Sequence, residues 1–206
     1  MRGIFSICLA AVSLLVGCGP LVELPGQNGV APVYYELTPS QDTLTAAGIP
    51  WTIYIEEPSM AQSLRRERIA VKPDRDRLEY LADAQWSDRV PDLIRRFVAE
   101  SLESSGHVNA IAAESLDLPT EYRLRMDVRD FEAAYYPDPQ RPDVNIRFAV
   151  MLVRTAPVEI VASQTFSTSV AARDGEAVSV VAAFNQAMNR VTQDMAGWIA
   201  GLKAGS

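Results

Sequence analysis

Three consecutive segments in the second half of the chain alternate apolar and polar side chains with the period of a β-strand, and a long helical stripe follows directly. In residues 121–131, Tyr122, Leu124, Met126 and Val128 point one way, while Arg123, Arg125, Asp127 and Arg129 point the other. Residues 143–154 place Val144, Ile146, Phe148, Val150 and Leu152 on one face; the other face changes from Asn145 and Arg147 to Met151 and Val153. Residues 159–170 alternate more weakly, with serines and threonines along one side. Alternation of this kind predicts a sheet with one solvated face, the usual condition of antiparallel strands. Pro137-Asp138-Pro139 and Ala156-Pro157 suit the hairpin connections. In residues 176–203, Val181, Phe184, Met188, Val191, Met195, Trp198 and Leu202 step by threes and fours. The few charges flanking that stripe favour a helix laid along the sheet over a coiled-coil seam.

The first half reads as shorter elements. Strands are expected at 33–37, at 51–56 with Trp51, Ile53 and Ile55 on one face, at 69–71 and at 78–81. A helix follows, with Asp88 as its expected N-cap and Pro91 in its first turn. Val90, Leu93, Ile94, Phe97, Val98 and Leu102 form its apolar stripe, and Gly106 stands where a left-handed C-terminal residue belongs. The expected fold class is α+β: a largely antiparallel sheet with two main helices packed on one face.

The amino terminus points to export. Arg2 precedes an apolar run over residues 4–16, shorter than the about 18 residues that cross a bilayer and of the length of a signal-peptide core. The run ends in Leu15-Val16-Gly17-Cys18, which resembles the lipobox of bacterial lipoproteins. An ordinary secretory signal containing a cysteine is the alternative. The expected organisation is a signal peptide at 1–17, a lipidated flexible tether at 18–32 and one domain at 33–206. Gly and Pro enrich the tether. Cleavage removes Cys8 and leaves Cys18, the predicted lipidation site, as the sole thiol, so no disulfide is expected. Gly19 after the cysteine, where Asp is associated with inner-membrane retention, favours the outer membrane facing the periplasm.

A net charge of −7 argues against nucleic-acid binding, which relies on basic surface. The single histidine, His107, reads as a surface loop residue, and neither a phosphate loop nor a typical zinc-ligand set is present, so no catalytic residue, metal or cofactor is expected. Paired carboxylates such as Glu56-Glu57 or Asp74 with Asp76 leave a hydrolase as a remote alternative. Two clusters are candidate partner-docking surfaces. One is basic: Arg65, Arg66 and Arg68, continued by Lys72, Arg75 and Arg77; its interleaved Glu67, Asp74 and Asp76 also fit a plain solvated hairpin. The other is aromatic, Tyr135 and Tyr136 before Pro137, where packing around a turn is the alternative.

One combination goes further. Ile69-Ala70-Val71-Lys72-Pro73, then Leu78-Glu79-Tyr80-Leu81-Ala82-Asp83-Ala84-Gln85-Trp86-Ser87-Asp88-Arg89-Val90-Pro91 and the helix to Gly106, resembles the ABC-type transport auxiliary lipoprotein family, which includes the paraquat-inducible protein C type. The early Tyr34-Tyr35-Glu36-Leu37 matches that family's Tyr-Tyr-x-Leu strand. A departure lies at Ser63-Leu64-Arg65-Arg66-Glu67-Arg68-Ile69, where members commonly carry a Leu-Asp-Arg-Pro-Gln-Ile-like segment. The resemblance implies a non-enzymatic envelope lipoprotein. Its implied partners are a mammalian-cell-entry (MCE) domain protein and an ABC permease and ATPase that move lipids or other hydrophobic solutes between membranes, and association into a homo-oligomer is a further expectation. A structural lipoprotein that scaffolds other complexes is the alternative function.

Overall fold

The structure, a computed structural model, describes residues 31–40, 51–106, 109–111 and 120–203. Cys18, the tether and His107 lie outside them. In chain order the elements are β1 (Val33–Tyr35), β2 (Thr52–Ile55), β3 (Ser59–Met60), β4 (Arg68–Lys72), β5 (Glu79–Trp86), α1 (Val90–Ser104), β6 (Asn109–Ile111), β7 (Tyr122–Ala134), β8 (Asp143–Thr155), β9 (Val158–Ala171) and α2 (Ala177–Lys203). The class is α+β, as expected.

β7 is the seam of the sheet. Along one side it pairs antiparallel with β8, and β8 pairs antiparallel with β9, as the alternation predicts. Its other side is shared by three short strands, all parallel to it: β2 opposite residues 122–124, β3 opposite 127–128 and β4 opposite 133–134. β6 adds to β2, and β5 and then β1 add beyond β4, completing a mixed sheet of nine strands among the described residues. Parallel partners have no turn signature in the sequence, so this arrangement was not expected. β3 and β6 were not expected either; two or three residues are too few for a periodic pattern.

The faces follow the side-chain pattern closely. Leu124, Met126 and Val128 of β7 and Val144, Ile146, Phe148, Val150 and Leu152 of β8 are buried, and α2 packs over β8 and β9. Arg123, Arg125, Asp127, Arg129 and Arg147 remain exposed on the opposite face. A register shift between Val128 and Asp130 absorbs one extra residue in β7. It returns Phe131 and Ala133 to the core side, opposite Ile146 and Val144, after two consecutive polar residues break the alternation.

β5 runs further than the expected 78–81, to Trp86. Arg68 lies opposite Gln85 and Ala70 opposite Tyr80, so residues 81–84 bulge, with Asp83 at a φ of 53°. That irregularity hides the strand from a period-two reading. The cap of α1 falls one residue after the expected one: Arg89 occupies the N-cap position without a side-chain cap, while Asp88 accepts from the Arg89 N–H at 2.7 Å. Its far end is as expected, with Gly106 at a φ of 68° and its N–H donating to the Glu103 carbonyl.

Two contacts tie the ends of the chain together. Trp86, Phe131 and Phe184 form an aromatic triad linking β5, β7 and α2, with ring centroids 4.9–6.1 Å apart and the Trp86–Phe184 pair edge to face. Beyond β1, the chain lies extended along α2. Thr38 and Ser40 donate their N–H groups to the Oδ1 atoms of Asn185 and Asn189, both at 2.7 Å. The Nδ2 groups of those two asparagines donate to the Glu36 and Thr38 carbonyls. One helical turn of four residues rises about 6.0 Å and two strand residues about 6.6 Å, so side-chain amides at i and i+4 match alternate peptides of an extended chain.

Phe184→Ala is expected to cost about 3–5 kcal/mol, measured by urea denaturation, because it empties the centre of the triad. Replacing Asn185 and Asn189 together by alanine should speed amide exchange at Thr38 and Ser40 while shifting the unfolding midpoint far less than Phe184→Ala.

Candidate functional site

The basic cluster is not a single patch. Arg65, half-buried, is ion-paired with Glu57. Arg66 is exposed, and its carbonyl receives the N–H of Val90 at 3.3 Å, fastening the segment to the start of α1. Arg68 stacks its guanidinium 4.4 Å above the Tyr80 ring, whose hydroxyl donates to the Ser63 carbonyl. These three arginines stand at the start of β4. Lys72, Arg75 and Arg77 lie at and beyond its end, about 13 Å or more away at about 3.3 Å per residue.

Arg77 pairs with Asp74 at 2.6 Å and with Glu79 at 3.2 Å. That hydrogen bond, aided by the N–H of Asp76, holds the Asp74 carboxyl below its ordinary value. Arg75 lies 6.0 Å from the centre of the Tyr136 ring. The fold thus unites the two candidate clusters at one point, Arg75 with Tyr136, and leaves Arg65, Arg66 and Arg68 apart from it. Tyr135 and Tyr136 are both half-buried. Tyr135 donates its hydroxyl to the Gly175 carbonyl at 2.9 Å, and its N–H bonds to the Lys72 carbonyl. Burial, with Glu176 and Asp174 nearby, raises the Tyr135 phenol.

At this end lies a half-buried ion pair that the sequence did not advertise. Glu132, 4% exposed, accepts from Lys72 Nζ at 3.1 Å and from the Phe131 N–H at 2.8 Å. The bulge before Phe131 sends Glu132 to the side opposite the core, where it lies across from Asn145. Burial raises its carboxyl above the ordinary 4.5, and the Lys72 partnership offsets only part of that.

The open face of the sheet is a third cationic surface. Glu56 is shared by Arg125 at 3.1 Å and Arg123 at 3.5 Å, Asp130 holds Arg147 at 2.6 Å, and Asp127 holds Arg129 at 3.3 Å. Alternation in residues 121–131 announced these arginines as solvent-facing, but only the strand pairing shows them assembled with Arg147. A hollow of about 20 Å³ between the last turn of α1 and α2, lined by Ser101, Ser104, Thr192 and Gln193, has room for a water and not for an acyl chain. Among the described residues no group of three or more His, Cys, Asp or Glu could hold a metal, and no helix is long and apolar enough to cross a membrane.

A sequence model for the family described as ABC-type transport auxiliary lipoprotein component matches residues 35–196. A Bradyrhizobium diazoefficiens protein described as uncharacterized is 28% identical over 162 residues, covering 79% of this chain. The match covers 41% of that relative, so the chain spans about two fifths of its length. A solved Xanthomonas campestris protein is 28% identical with a TM-score of 0.70, covering 84% of this chain and 95% of that one. A hypothetical protein of Chlamydia trachomatis shares the fold alone, at 9% identity and a TM-score of 0.51, over 77% of this chain and 100% of its own.

Because unfolding lets Glu132 return to an ordinary carboxyl value, the folded state holds its proton more tightly than the unfolded chain does. The cost of its buried charge is absent below about pH 4.5 and enters as pH rises through the raised folded value. Glu132→Gln should therefore gain stability relative to the parent as pH rises from about 4 to 8, read from denaturant midpoints. Lys72→Met should cost about 2 kcal/mol at neutral pH by removing the partner of that charge.

Proposed function

Since the chain belongs to the ABC-type transport auxiliary lipoprotein component family, we propose that it is a non-enzymatic, lipid-anchored docking subunit of an MCE-type transport system moving lipids or other hydrophobic solutes between envelope membranes. Family membership assigns it to the cell envelope as an auxiliary component of ABC-type transport, and the match across residues 35–196 carries the reading. In this proposal residues 1–17 are removed, Cys18 receives lipid, and residues 18–32 link that anchor to the folded domain on the periplasmic side of the outer membrane. A flexible link of about 14 residues has a root-mean-square reach of about 20 Å, so the domain stays near its own membrane unless a long partner comes to it. ATP hydrolysis belongs to the ABC partner, and this subunit contributes protein surface.

The site geometry supports docking. Its arginines are held by carboxylates and aromatic rings on exposed strands and loops, the arrangement of a charged recognition surface. The family motifs serve the frame of the domain: Tyr34 and Tyr35 of β1 lie opposite Gln85 and Trp86 of β5. Self-association of the domain is part of the proposal.

In-cell crosslinking followed by identification of the captured proteins tests this function. The expected result is recovery of an MCE-domain protein or the permease, with capture reduced at least about tenfold by charge reversal at Arg65, Arg66 and Arg68. Cys18→Ser should release the protein from the membrane fraction and abolish function without changing the fold. Capture of envelope scaffolding proteins, with unaltered lipid distribution in a deletion strain, would support the structural lipoprotein instead.

A further inference from the structure

The hollow between the last turn of α1 and α2 is lined only by uncharged residues, most of them carrying a hydroxyl or an amide. A hydroxyl on a helix ordinarily donates to a carbonyl three or four residues back. Three hydroxyls around the hollow do so: Ser104 to Glu100, Ser105 to Leu102 at 2.6 Å and Thr192 to Met188 at 2.9 Å. Ser101 is the exception. It lines the same hollow, and its Oγ is buried with no hydrogen-bond partner. Burying a hydroxyl in that condition is costly, because the protein replaces none of the hydrogen bonds that water gave it.

We infer that this hollow is a binding site for one resident water molecule, which bridges Ser101 on α1 to Thr192 on α2. Size selects that ligand. A volume of about 20 Å³ exceeds the roughly 10–15 Å³ that a single water needs and is too small for an organic ligand. The lining selects it too. With no charged side chain around it, an ion would lie there without a counter-charge, whereas a neutral water finds the polar partners it requires. Ser101 supplies a donor with no other use. Thr192, 2% exposed, gives its proton to the Met188 carbonyl, so its oxygen offers lone pairs to the hollow. Ser104, which donates to Glu100, is in the same condition. A water that accepts from Ser101 and donates to Thr192 and Ser104 therefore matches each group with what it lacks. The bridge sits where a third element arrives, because Asn189 lines the same hollow and receives the Ser40 N–H at 2.7 Å.

Oxygen-17 relaxation dispersion on the full-length lipidated protein tests this, since it counts waters that stay bound for as long as the protein takes to tumble. Ser101→Ala and Thr192→Val are compared with the parent, each with an unchanged circular dichroism spectrum. The expected result is the loss of one long-lived water in both variants. Thr192→Ser, which keeps the oxygen, should retain it. Unaltered dispersion in Ser101→Ala would overturn the site and leave Ser101 turned back to the Phe97 carbonyl of its own helix. A loss in Ser101→Ala with none in Thr192→Val would overturn the bridge, because the water would then belong to α1 alone. Loss of the water in Thr192→Ser would overturn it as well.

Discussion

The contact of Trp86, Phe131 and Phe184 is what the remaining architecture depends on. Phe131 sits on the central strand, Trp86 ends the strand that leads into α1, and Phe184 lies in the second turn of α2. All three rings are essentially excluded from solvent. They join parts of the chain about a hundred residues apart, so the first helix, the sheet and the last helix share one core instead of forming separate layers. The indole N–H of Trp86 is buried without a hydrogen-bond partner. That cost, of order 1–3 kcal/mol, is outweighed by the apolar area that the indole contributes at the junction.

With both helices against one face, the other face of the sheet is left to charged side chains. Solvation there is active: three carboxylates hold four arginines, and each pair contributes little stability because it is open to water. Their arrangement instead gives the face a defined pattern of charge. The Lys72–Glu132 pair differs in kind. Glu132 is buried while Lys72 stays partly open to water, and the pair links β4 to β7 near the loops that bring Arg75 to Tyr136. This end of β4 is thereby tied to the central strand.

The amino-terminal side shows the same economy. Only three residues of β1 pair with β5, yet the following segment is fixed by the two asparagine amides of α2. Side-chain amides that imitate a neighbouring strand give it a second attachment, to the helix that also covers β8 and β9. Among the described residues β9 and β1 stand at opposite edges of the sheet.

Much of this was legible from residue order. Period-two alternation marked β7, β8 and β9, steps of three and four marked α1 and α2, and Gly106 marked the end of α1, because each is a local consequence of one buried face. The family was also readable, since its motifs, Tyr34-Tyr35 and Trp86 among them, are themselves parts of that local pattern. Parallel pairing of β2, β3 and β4 along β7 was not, because parallel strands leave no turn signature. Nor were the Lys72–Glu132 pair and the Arg75–Tyr136 contact, which join residues about sixty apart through a bulge that reverses the side on which Glu132 emerges. Sequence alone decided which faces are buried, since burial follows from side-chain periodicity. Tertiary structure decided which charges meet, because that depends on register and on which strands become neighbours.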